Sequence, residues 1–534
     1  MPNLKVPQDF RKLVFSSDFS LLKGTVLDIS SSATPCRYRL IDVKSFLDDK
    51  QLRIYEFDDF PNTYNAYYSA ISYVWQGNIL VDEPCSPSYW EEELGVFMVK
   101  GAEDGDPISL DVLYHTCITA LNSAPNAHYI WLDRLCILQT DKNDKAWQIR
   151  QMYEIYRYCK VCCILPGGIQ RLVTLDEETT WIHRAWTLQE AIVPHRTIVI
   201  FMTDDERVDE LRCASADAAI YNPVVDVIPG VSAYAQLRSL LELSMVNENA
   251  STCRIFGRKR APRAALYGAA IKQQSHSYFE RDQKEQAIWR SALMRTSSRP
   301  VDMVFSIMGI FGIFLDPLKF EKDDRSGATI ALARKLVSLV GYKAHWMAMA
   351  YQLDPCRQIS TFPEFPMTTV GGIAYFSMED GTKREVADVV KERCDDGWLA
   401  GIPEGSMDED GYFTFTSKAV CITPTESRSS NPISNPAFDR ETGRIVVRAG
   451  DHSIWEIIQG PQDGLRTFAV YLGKQMSNSP DRHIALVVRE HSPGRFHRVT
   501  YVKLTENFES FLEGLKAVTL SVGGPDAPSR AAQE

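Results

Sequence analysis

The segment from Arg184 to Glu190 (RAWTLQE) carries the strongest candidate for chemistry in this sequence. On a helix, Trp186 and Glu190 lie one turn apart on the same face, so an indole and a carboxylate would point into the same space. The alternative is a tryptophan at the boundary of the core with a solvated glutamate beside it, because lone carboxylates on helices are mostly surface residues. The spacing alone leaves both interpretations open.

A second group of reactive residue types is the cysteines near position 160. Cys159 and Cys162 have C-x-x-C spacing, and Cys163 follows directly. A redox pair normally sits at a helix N-terminus, where the helix dipole lowers the thiol pKa. Here the pair falls where a predicted helix ends and a strand begins, so we expect the three thiols to be buried as small apolar side chains. The sequence contains no second C-x-x-C or H-x-x-x-H pair, so no metal site is predicted.

Cys136 is a weaker rival, as a nucleophile with His128 or His115 as its base. Nothing in the spacing brings these residues together, and a cysteine just past a buried strand is usually a core residue. The sequence also lacks the GxGxxG and GxxxxGK[ST] phosphate motifs, which argues against a Rossmann dehydrogenase or a P-loop nucleotidase.

The elements that would position these residues alternate between strands and helices from Tyr68 to Phe201. Short apolar runs predict the strands, and apolar residues at helical spacing predict the helices. The strands are Tyr68–Gly77, Tyr129–Leu132, Val161–Leu165 and Thr197–Phe201; the helices are one capped by Ser109, one capped by Asp141 or Asp144, and one from about Trp181 to Ile192. This order predicts a small doubly wound parallel sheet with helices on both faces.

In such a fold, ligands bind outside the carboxyl ends of the strands. The loops after Trp75, Asp133 and Leu165 would therefore form one rim, and chemistry is expected there.

The rest of the chain suggests further domains, as expected for 534 residues. We predict an N-terminal lead-in at 1–60, the α/β domain at 61–205, a helical region at 206–352, a β-rich domain at 353–523 and a disordered tail at 524–534. An acidic surface insertion is predicted from Asn78 to Asp106, and a loose loop from Glu426 to Pro436. The basic run from Cys253 to Arg263 is interpreted as a solvated loop, with a phosphate or nuclear-import site as the alternative.

Net charge, apolar runs and cysteine content indicate which partners and which cellular compartment to expect. A net charge of -11 argues against general affinity for nucleic acid or anionic membranes. No apolar run reaches the roughly 18 residues that span a bilayer, and the first residues lack the apolar core of a signal peptide. The 12 cysteines have no repeated spacing, which suggests reduced thiols. We therefore expect a cytoplasmic protein without membrane association.

Four ordered blocks of this sequence resemble the fungal heterokaryon incompatibility (HET) domain. They cover about residues 64–201, with Gln76 inserted between the usual Trp and Gly, and with Leu138 where Asn is usual. The blocks are Ala70–Trp75 (AISYVW), Trp131–Gln139 with Asp141 (WLDRLCILQ), Gln148–Met152 with Ile155 and Tyr156, and Arg184–Glu190.

The HET domain is in turn similar to the Toll/interleukin-1 receptor (TIR) fold, which has a flavodoxin-like strand order. Val161–Leu165 resembles the TIR strand before the last shared helix. Trp186 to Glu190 matches the TIR pattern W-x-x-x-E, whose Glu is catalytic in the NAD-cleaving members. The resemblance implies fungal non-self recognition and programmed cell death, with NAD hydrolysis as a means.

That chemistry suits a single carboxylate. Cleavage between ribose and nicotinamide develops oxocarbenium character, and nicotinamide leaves as a neutral molecule, so no second acid is needed. By resemblance, Glu190 would be the catalytic residue that stabilises the cation. The substrate-binding candidates are Trp186 and Tyr73 for stacking, Arg134 and Arg184 for pyrophosphate, Asp133 to orient an arginine, and Trp75 on the rim.

Two alternatives remain open. One is a non-catalytic signalling module that assembles with itself or with a protein partner. The other is the same fold recruited as an enzyme for another small molecule. A pocket lined by Glu190, Trp186 and Tyr73 would favour an enzyme, and a buried, ion-paired Glu190 would favour the interaction module. In each case no cofactor is predicted, and NAD enters only as a substrate.

Overall fold

The computed structural model describes residues 11–78, 93–203, 224–246, 253–273, 278–356, 358–363, 368–370, 372–377, 381–393, 397–425, 437–439, 444–458, 464–476, 482–505 and 509–525. The predicted loop from Glu426 to Pro436 and residues 526–534 of the predicted tail lie outside this part. The chain divides into two compact units. Unit 1 comprises residues 1–273, 305–321 and 371–373, and unit 2 comprises residues 274–304, 322–370 and 374–534. The sequence-based domain boundaries at 60, 205, 352 and 523 stay predictions.

Unit 1 is built around one large sheet. Its strands are β1 (Arg11–Asp18), β2 (Val26–Leu27), β3 (Tyr38–Asp42), β4 (Gln51–Phe57), β5 (Tyr68–Tyr73), β6 (Val96–Val99), β7 (Ile108–Ser109), β8 (Tyr129–Trp131), β9 (Cys162–Leu165), β10 (Thr197–Met202), β11 (Val225–Ile228) and β12 (Ser232–Gln236). Its helices are α1 (Phe19–Leu22), α2 (Val43–Asp48), α3 (Leu110–Ser123), α4 (Asp133–Cys136), α5 (Lys142–Tyr158), α6 (Thr187–Ile192), α7 (Leu237–Val246) and α8 (Arg260–Gln273).

The sheet has nine strands in the order β1-β4-β3-β8-β5-β9-β10-β12-β11. The four central strands β8, β5, β9 and β10 are parallel, and antiparallel strands flank them on both sides. Read across the sheet, the parallel strands are the second, first, third and fourth of the four in the sequence. The direction in which successive strands are added therefore reverses between β5 and β9. Every residue of β5 is buried, as expected for a strand covered on both faces.

Local sequence signals explain where the helices of this unit begin. The Ser109 hydroxyl accepts a hydrogen bond from the Val112 amide and caps α3. Asp141 caps α5 by accepting from the Asp144 amide, which resolves the choice left open by the sequence. The sequence-based prediction of a mixed α/β fold with a parallel-containing sheet is confirmed.

The segment before residue 60, interpreted as a lead-in, contributes β1, β3 and β4 to the large sheet. The runs Tyr38–Val43 and Arg53–Phe57, which the sequence offers as strands, correspond to β3 and β4. Two other segments of unit 1 differ from what the sequence predicts. The predicted irregular insertion contains β6, which pairs with β2 and β7. Helical periodicity predicts a helix from Tyr234 to Val246, but this helix begins at Leu237, because Ser232–Gln236 forms a strand that pairs with β10.

The helix predicted from Trp181 to Ile192 is interrupted. Trp181–His183 forms a short 3₁₀ turn, and Arg184 then takes an extended conformation before α6 begins. The Thr187 hydroxyl donates to the Trp181 carbonyl across this break. The break matters for the candidate site, because it turns the Trp181 side chain and α6 toward the same strand.

The rest of the chain combines helices with an extensive antiparallel sheet. The helices are α9 (Tyr278–Leu293), α10 (Asp302–Met308), α11 (Arg325–Val337), α12 (Met347–Ala350), α13 (Val386–Arg393) and α14 (Glu509–Gly514). The strands are β13 (Thr368–Val370), β14 (Ile373–Ser377), β15 (Lys383–Glu385), β16 (Trp398–Ala400), β17 (Gly405–Met407), β18 (Phe413–Pro424), β19 (Ala437–Asp439), β20 (Arg444–Arg448), β21 (Ile454–Ile457), β22 (Thr467–Met476), β23 (Arg482–Ser492), β24 (Arg495–Thr505) and β25 (Ala517–Val522).

In unit 2, β18 pairs with both β25 and β22, so the strands β22-β23-β24-β25-β18 close into a small barrel. A buried hydrophobic cluster on these strands includes Ile422, Val487 and Val502. The predicted β-rich C-terminal region is therefore confirmed. Helical periodicity from Thr329 to Met349 predicts one helix, whereas the structure has α11 ending at Val337 and α12 beginning at Met347. Gly341 between them has a φ of +71°, which a continuous helix does not accept. In the described part of the chain, no helix is long and apolar enough to cross a membrane.

A buried ion pair joins β3 to α5 in unit 1. Arg39 and Asp144 are both fully buried, and the two carboxylate oxygens of Asp144 accept from Arg39 Nη1 and Nη2 at 3.1 and 3.2 Å. The same carboxylate accepts from the Leu138 amide at 2.7 Å, and Arg39 Nε lies 3.5 Å from Glu56 Oε2. This network attaches the N-terminal strands to the central α/β elements.

We predict that Asp144→Asn lowers the free energy of unfolding by about 3 kcal/mol, because Arg39 loses the charge that compensates its burial. Urea unfolding measures this. The matched control is Asp58→Asn, which removes a carboxylate from the solvent-exposed pair with Arg37 and should cost about 0–1 kcal/mol. Equal, small losses from both variants would contradict the role given to the buried pair.

Candidate functional site

The carboxyl ends of β5 and β8 are joined by one carboxylate. Asp133, the first residue of α4, accepts hydrogen bonds from the Tyr73 hydroxyl at 2.6 Å and from Trp75 Nε1 at 2.7 Å. It also accepts from the backbone amide of Arg134 at 2.6 Å. The structure thus brings together Tyr73, Trp75, Asp133 and Arg134, four residues that the sequence offers as substrate-binding candidates. Burial, and then the charge of Asp133, raise the pKa of Tyr73 well above its ordinary value, which keeps the hydroxyl protonated as a donor.

The guanidinium of Arg134 faces the polypeptide backbone in this structure. It is fully buried and donates to the Asp106 carbonyl and, at 3.0 Å, to the Ala102 carbonyl. It also lies 5.7 Å from the Trp75 ring. Arg134 therefore holds the 102–106 loop against the rim, and a contact with pyrophosphate stays a prediction.

Glu190 lies in α6 with 7% of its surface exposed. Its Oε2 accepts a hydrogen bond of 2.5 Å from the Ser72 hydroxyl of β5, and Ser72 accepts from Trp181 Nε1 at 2.9 Å. Burial, together with a smaller contribution from the charge of Asp133, raises the pKa of Glu190 to about 7. The Ser72 hydrogen bond and the charge of Arg184 act in the opposite direction. Near neutral pH this carboxyl is therefore divided between its neutral and charged forms.

The position of Glu190 coincides with the reversal of strand order. Ser72 is paired with Ile164 of β9, and the charge of Glu190 raises the pKa of the Cys162 thiol on β9. Glu190 thus lies against β5 and β9, the two strands between which the order reverses. Open α/β sheets bind their ligands at the carboxyl ends of the strands at this point.

The loops after β5 and β9 meet directly at the same edge of the sheet. A Cβ atom on Gly77 would lie 1.9 Å from the Gly167 carbonyl oxygen, so only glycine permits this approach. The Asn78 amide donates to that carbonyl at 3.0 Å, and the Asn78 side chain donates to the Glu178 carbonyl at 2.9 Å. The sequence places Gly77 at the end of the strand, where glycine permits a tight turn, and the structure shows this close contact there.

Arg184 and Trp186 flank Glu190 and are partly exposed. Trp186 precedes α6, and its carbonyl accepts from the Glu190 amide at 3.4 Å, which places the two residues one turn apart as predicted. The positive charge of Arg184 lowers the pKa of both Glu190 and Tyr73. Their roles in binding a substrate stay predictions.

Sequence reasoning missed Ser72, Trp181 and Tyr156. Ser72 carried one available signal, because it is a polar residue in the middle of a run predicted to be a buried strand. No such sequence signal distinguished Trp181 or Tyr156, because both lie among the apolar residues of predicted helices. The Tyr156 hydroxyl donates to the Ile71 carbonyl at 3.1 Å and also contacts Glu190.

The cysteines considered as reactive residues are buried in the core. Cys159, Cys162 and Cys163 are buried, as predicted, and burial raises the pKa of each thiol. Burial raises the pKa of Cys136 to about 12. Its proposed base His115 instead contacts Ser232 through Nδ1 at 2.7 Å, and burial lowers the His115 pKa to about 4. Cys136 therefore lacks the low pKa of a nucleophile.

Comparison with known proteins gives one match. Residues 68–171 match the model of the family Heterokaryon incompatibility protein (HET). The match includes Tyr73, Trp75, Asp133 and Arg134 but ends before Glu190. No curated protein and no solved structure matches the chain.

The raised pKa of Glu190 predicts a pH-dependent difference in stability. The folded state keeps the proton up to about pH 7, whereas the unfolded chain releases it near the ordinary value of 4.5. Stability is therefore lost as the pH rises from 4.5 to 7, by about 3 kcal/mol in total. Glu190→Gln, which is always neutral, should be more stable than the wild type at pH 8 and lose this advantage by pH 4. Urea unfolding at both pH values measures the difference, and an advantage independent of pH would contradict the assignment.

Proposed function

We propose that the α/β part of this chain, residues 61–205, is a TIR-like HET domain that hydrolyses NAD or a related nucleotide, with Glu190 as its essential carboxylate. The proposal places the protein in fungal non-self recognition and programmed cell death, in the cytoplasm, with activity that depends on assembly. The observation that carries it is a buried carboxyl that accepts a hydrogen bond from Ser72 at the reversal of strand order, where burial raises its pKa to about 7.

The strand order supports the TIR-like part of the proposal. The parallel strands stand second, first, third, fourth, which is the order of the first four strands in a flavodoxin-like sheet. The family match at 68–171 supports the HET part and covers three of these four strands.

The electrostatics of Glu190 suit cleavage of a cationic nicotinamide. The nicotinamide ring carries a positive charge, and an opposite charge nearby favours the ionised form of a carboxyl. Substrate binding would therefore shift Glu190 toward its carboxylate form. That carboxylate would then stabilise the oxocarbenium character of the ribose as neutral nicotinamide leaves.

The surrounding residues divide into two groups under this proposal. Tyr73, Trp75 and Arg134 are held by Asp133 or by backbone carbonyls and shape the rim. Trp186 and Arg184 are partly exposed, which suits stacking on an aromatic ring and pairing with pyrophosphate. The direct contact between the Gly77 and Gly167 loops implies that these loops separate when a nucleotide enters.

The alternative is a non-catalytic module that signals by self-assembly or by binding a protein partner. The burial of Glu190 and the closed contact of the loops favour it, because both limit access to the carboxyl. Hydrolysis of another small molecule by the same carboxyl is a third candidate, and a panel of nucleotide substrates separates it from NAD cleavage.

The decisive assay is nicotinamide release from NAD by the full-length protein over a range of protein concentrations. We expect release that rises faster than linearly with concentration and falls at least about 100-fold in Glu190→Gln, because a charge-stabilising group is lost. The matched control is Glu154→Gln, the same change on a partly exposed glutamate of α5, which should keep wild-type activity.

Equal release by wild type and Glu190→Gln would overturn the catalytic assignment. Absence of release from a folded wild-type protein at every concentration would favour the interaction module. Sedimentation of the same samples then tests whether the chain assembles.

A further inference from the structure

Ser72 is the central member of a buried chain of three side chains. Trp181, Ser72 and Glu190 have exposed fractions of 0%, 0% and 7%. Trp181 Nε1 lies 2.9 Å from Ser72 Oγ, and Ser72 Oγ lies 2.5 Å from Glu190 Oε2. The three residues belong to three different elements: the 3₁₀ turn, β5 and α6.

Hydrogen-bond chemistry fixes the direction of this chain. The indole N–H is only a donor, so Ser72 Oγ must accept from Trp181. A serine hydroxyl has one proton. Because a lone pair of Ser72 Oγ accepts the indole proton, the hydroxyl proton of Ser72 points away from the indole. When Glu190 is ionised, that proton is therefore directed at Glu190 Oε2, which accepts it at a distance typical of a charge-assisted O–H···O bond.

We propose that Ser72, oriented by the Trp181 indole, is the positioning residue of Glu190 that directs its hydroxyl proton to Oε2 and fixes the carboxyl against the carboxyl end of β5. The catalytic part of this inference rests on the proposed function, while the positioning part is tested without it. Ser72 acts on the reaction only through Glu190 and does not contact the substrate.

The hydrogen bond has a consequence for ionisation. A donor directed at a carboxylate stabilises its charged form, so Ser72 lowers the pKa of Glu190 and offsets part of the increase caused by burial. Without Ser72, Glu190 would stay protonated to a higher pH. The titratable groups around Glu190 are Asp133 of α4, Arg184 before α6, Tyr156 of α5 and Cys162 of β9. The Tyr156 hydroxyl also hydrogen-bonds to Glu190 and lowers its pKa, but it contributes less than Ser72.

The test is Ser72→Ala, with Ser69→Ala as the matched control. Ser69 is also fully buried in β5, and its hydroxyl has no hydrogen-bond partner in the described part of the chain. The pKa of Glu190 is measured in each background from the pH dependence of unfolding, relative to the same background carrying Glu190→Gln. We expect Ser72→Ala to raise that pKa by about one to two units and Ser69→Ala to leave it unchanged.

The pH profile of nicotinamide release supplies a second readout. In Ser72→Ala, the pH at which the rate of nicotinamide release rises should increase by as many units as the pKa of Glu190 does. The rate should recover to the wild-type value at high pH. A structural defect would instead lower the rate equally at all pH values. If Ser72→Ala does not fold, Ser72→Cys provides a weaker donor of similar size and should give a smaller upward shift.

The outcomes separate the two proposals. An unchanged or lowered Glu190 pKa in Ser72→Ala would overturn the positioning role, even if the wild type cleaves NAD. A raised pKa in a protein that releases no nicotinamide would support the positioning of Glu190 and count against the proposed NAD hydrolysis.

Discussion

The structure around the candidate site depends on the burial of one carboxyl, Glu190, between helix α6 and the two strands where the sheet reverses its order. An isolated charge in that position is unfavourable, and the hydrogen bond from Ser72 offsets only part of the cost of burying it. The pKa of Glu190 is therefore raised. The break at Arg184 is part of the same arrangement, because a continuous helix from Trp181 would not direct both Trp181 and Glu190 at Ser72.

Two carboxylates near the strand ends have different environments. Asp133 accepts from a phenol, an indole and a backbone amide, and these bonds tie the end of β5 to the start of α4. Glu190 accepts from the Ser72 hydroxyl and contacts Tyr156, and its burial raises its pKa. Asp133 therefore organises the rim, whereas Glu190 can change its charge near neutral pH. This difference is the physical basis for assigning chemistry to Glu190.

The sequence predicted the parts of the fold that depend on local pattern. The central strands and the Ser109 cap followed from local sequence patterns, and the approach of the loops after Trp75 and Asp133 followed from the geometry of parallel sheets. It did not predict partnerships between distant segments. Arg39 and Asp144 form a buried ion pair although they are 105 positions apart in the sequence, and no local pattern around either residue indicates its partner. Ser72 is similar, because its importance comes from Trp181 and Glu190, which lie more than 100 positions away.

The measurement that tests the account most directly is an infrared titration of the full-length protein from pH 5 to 9, taken as the difference between the wild type and Glu190→Gln. The account predicts one carbonyl band of a protonated carboxylic acid that is present at pH 5, is half lost near pH 7 and is absent at pH 9. A band that is already absent at pH 5 would mean that Glu190 is an ordinary ionised carboxylate, and the assignment of a neutral, buried acid at the strand reversal would be wrong.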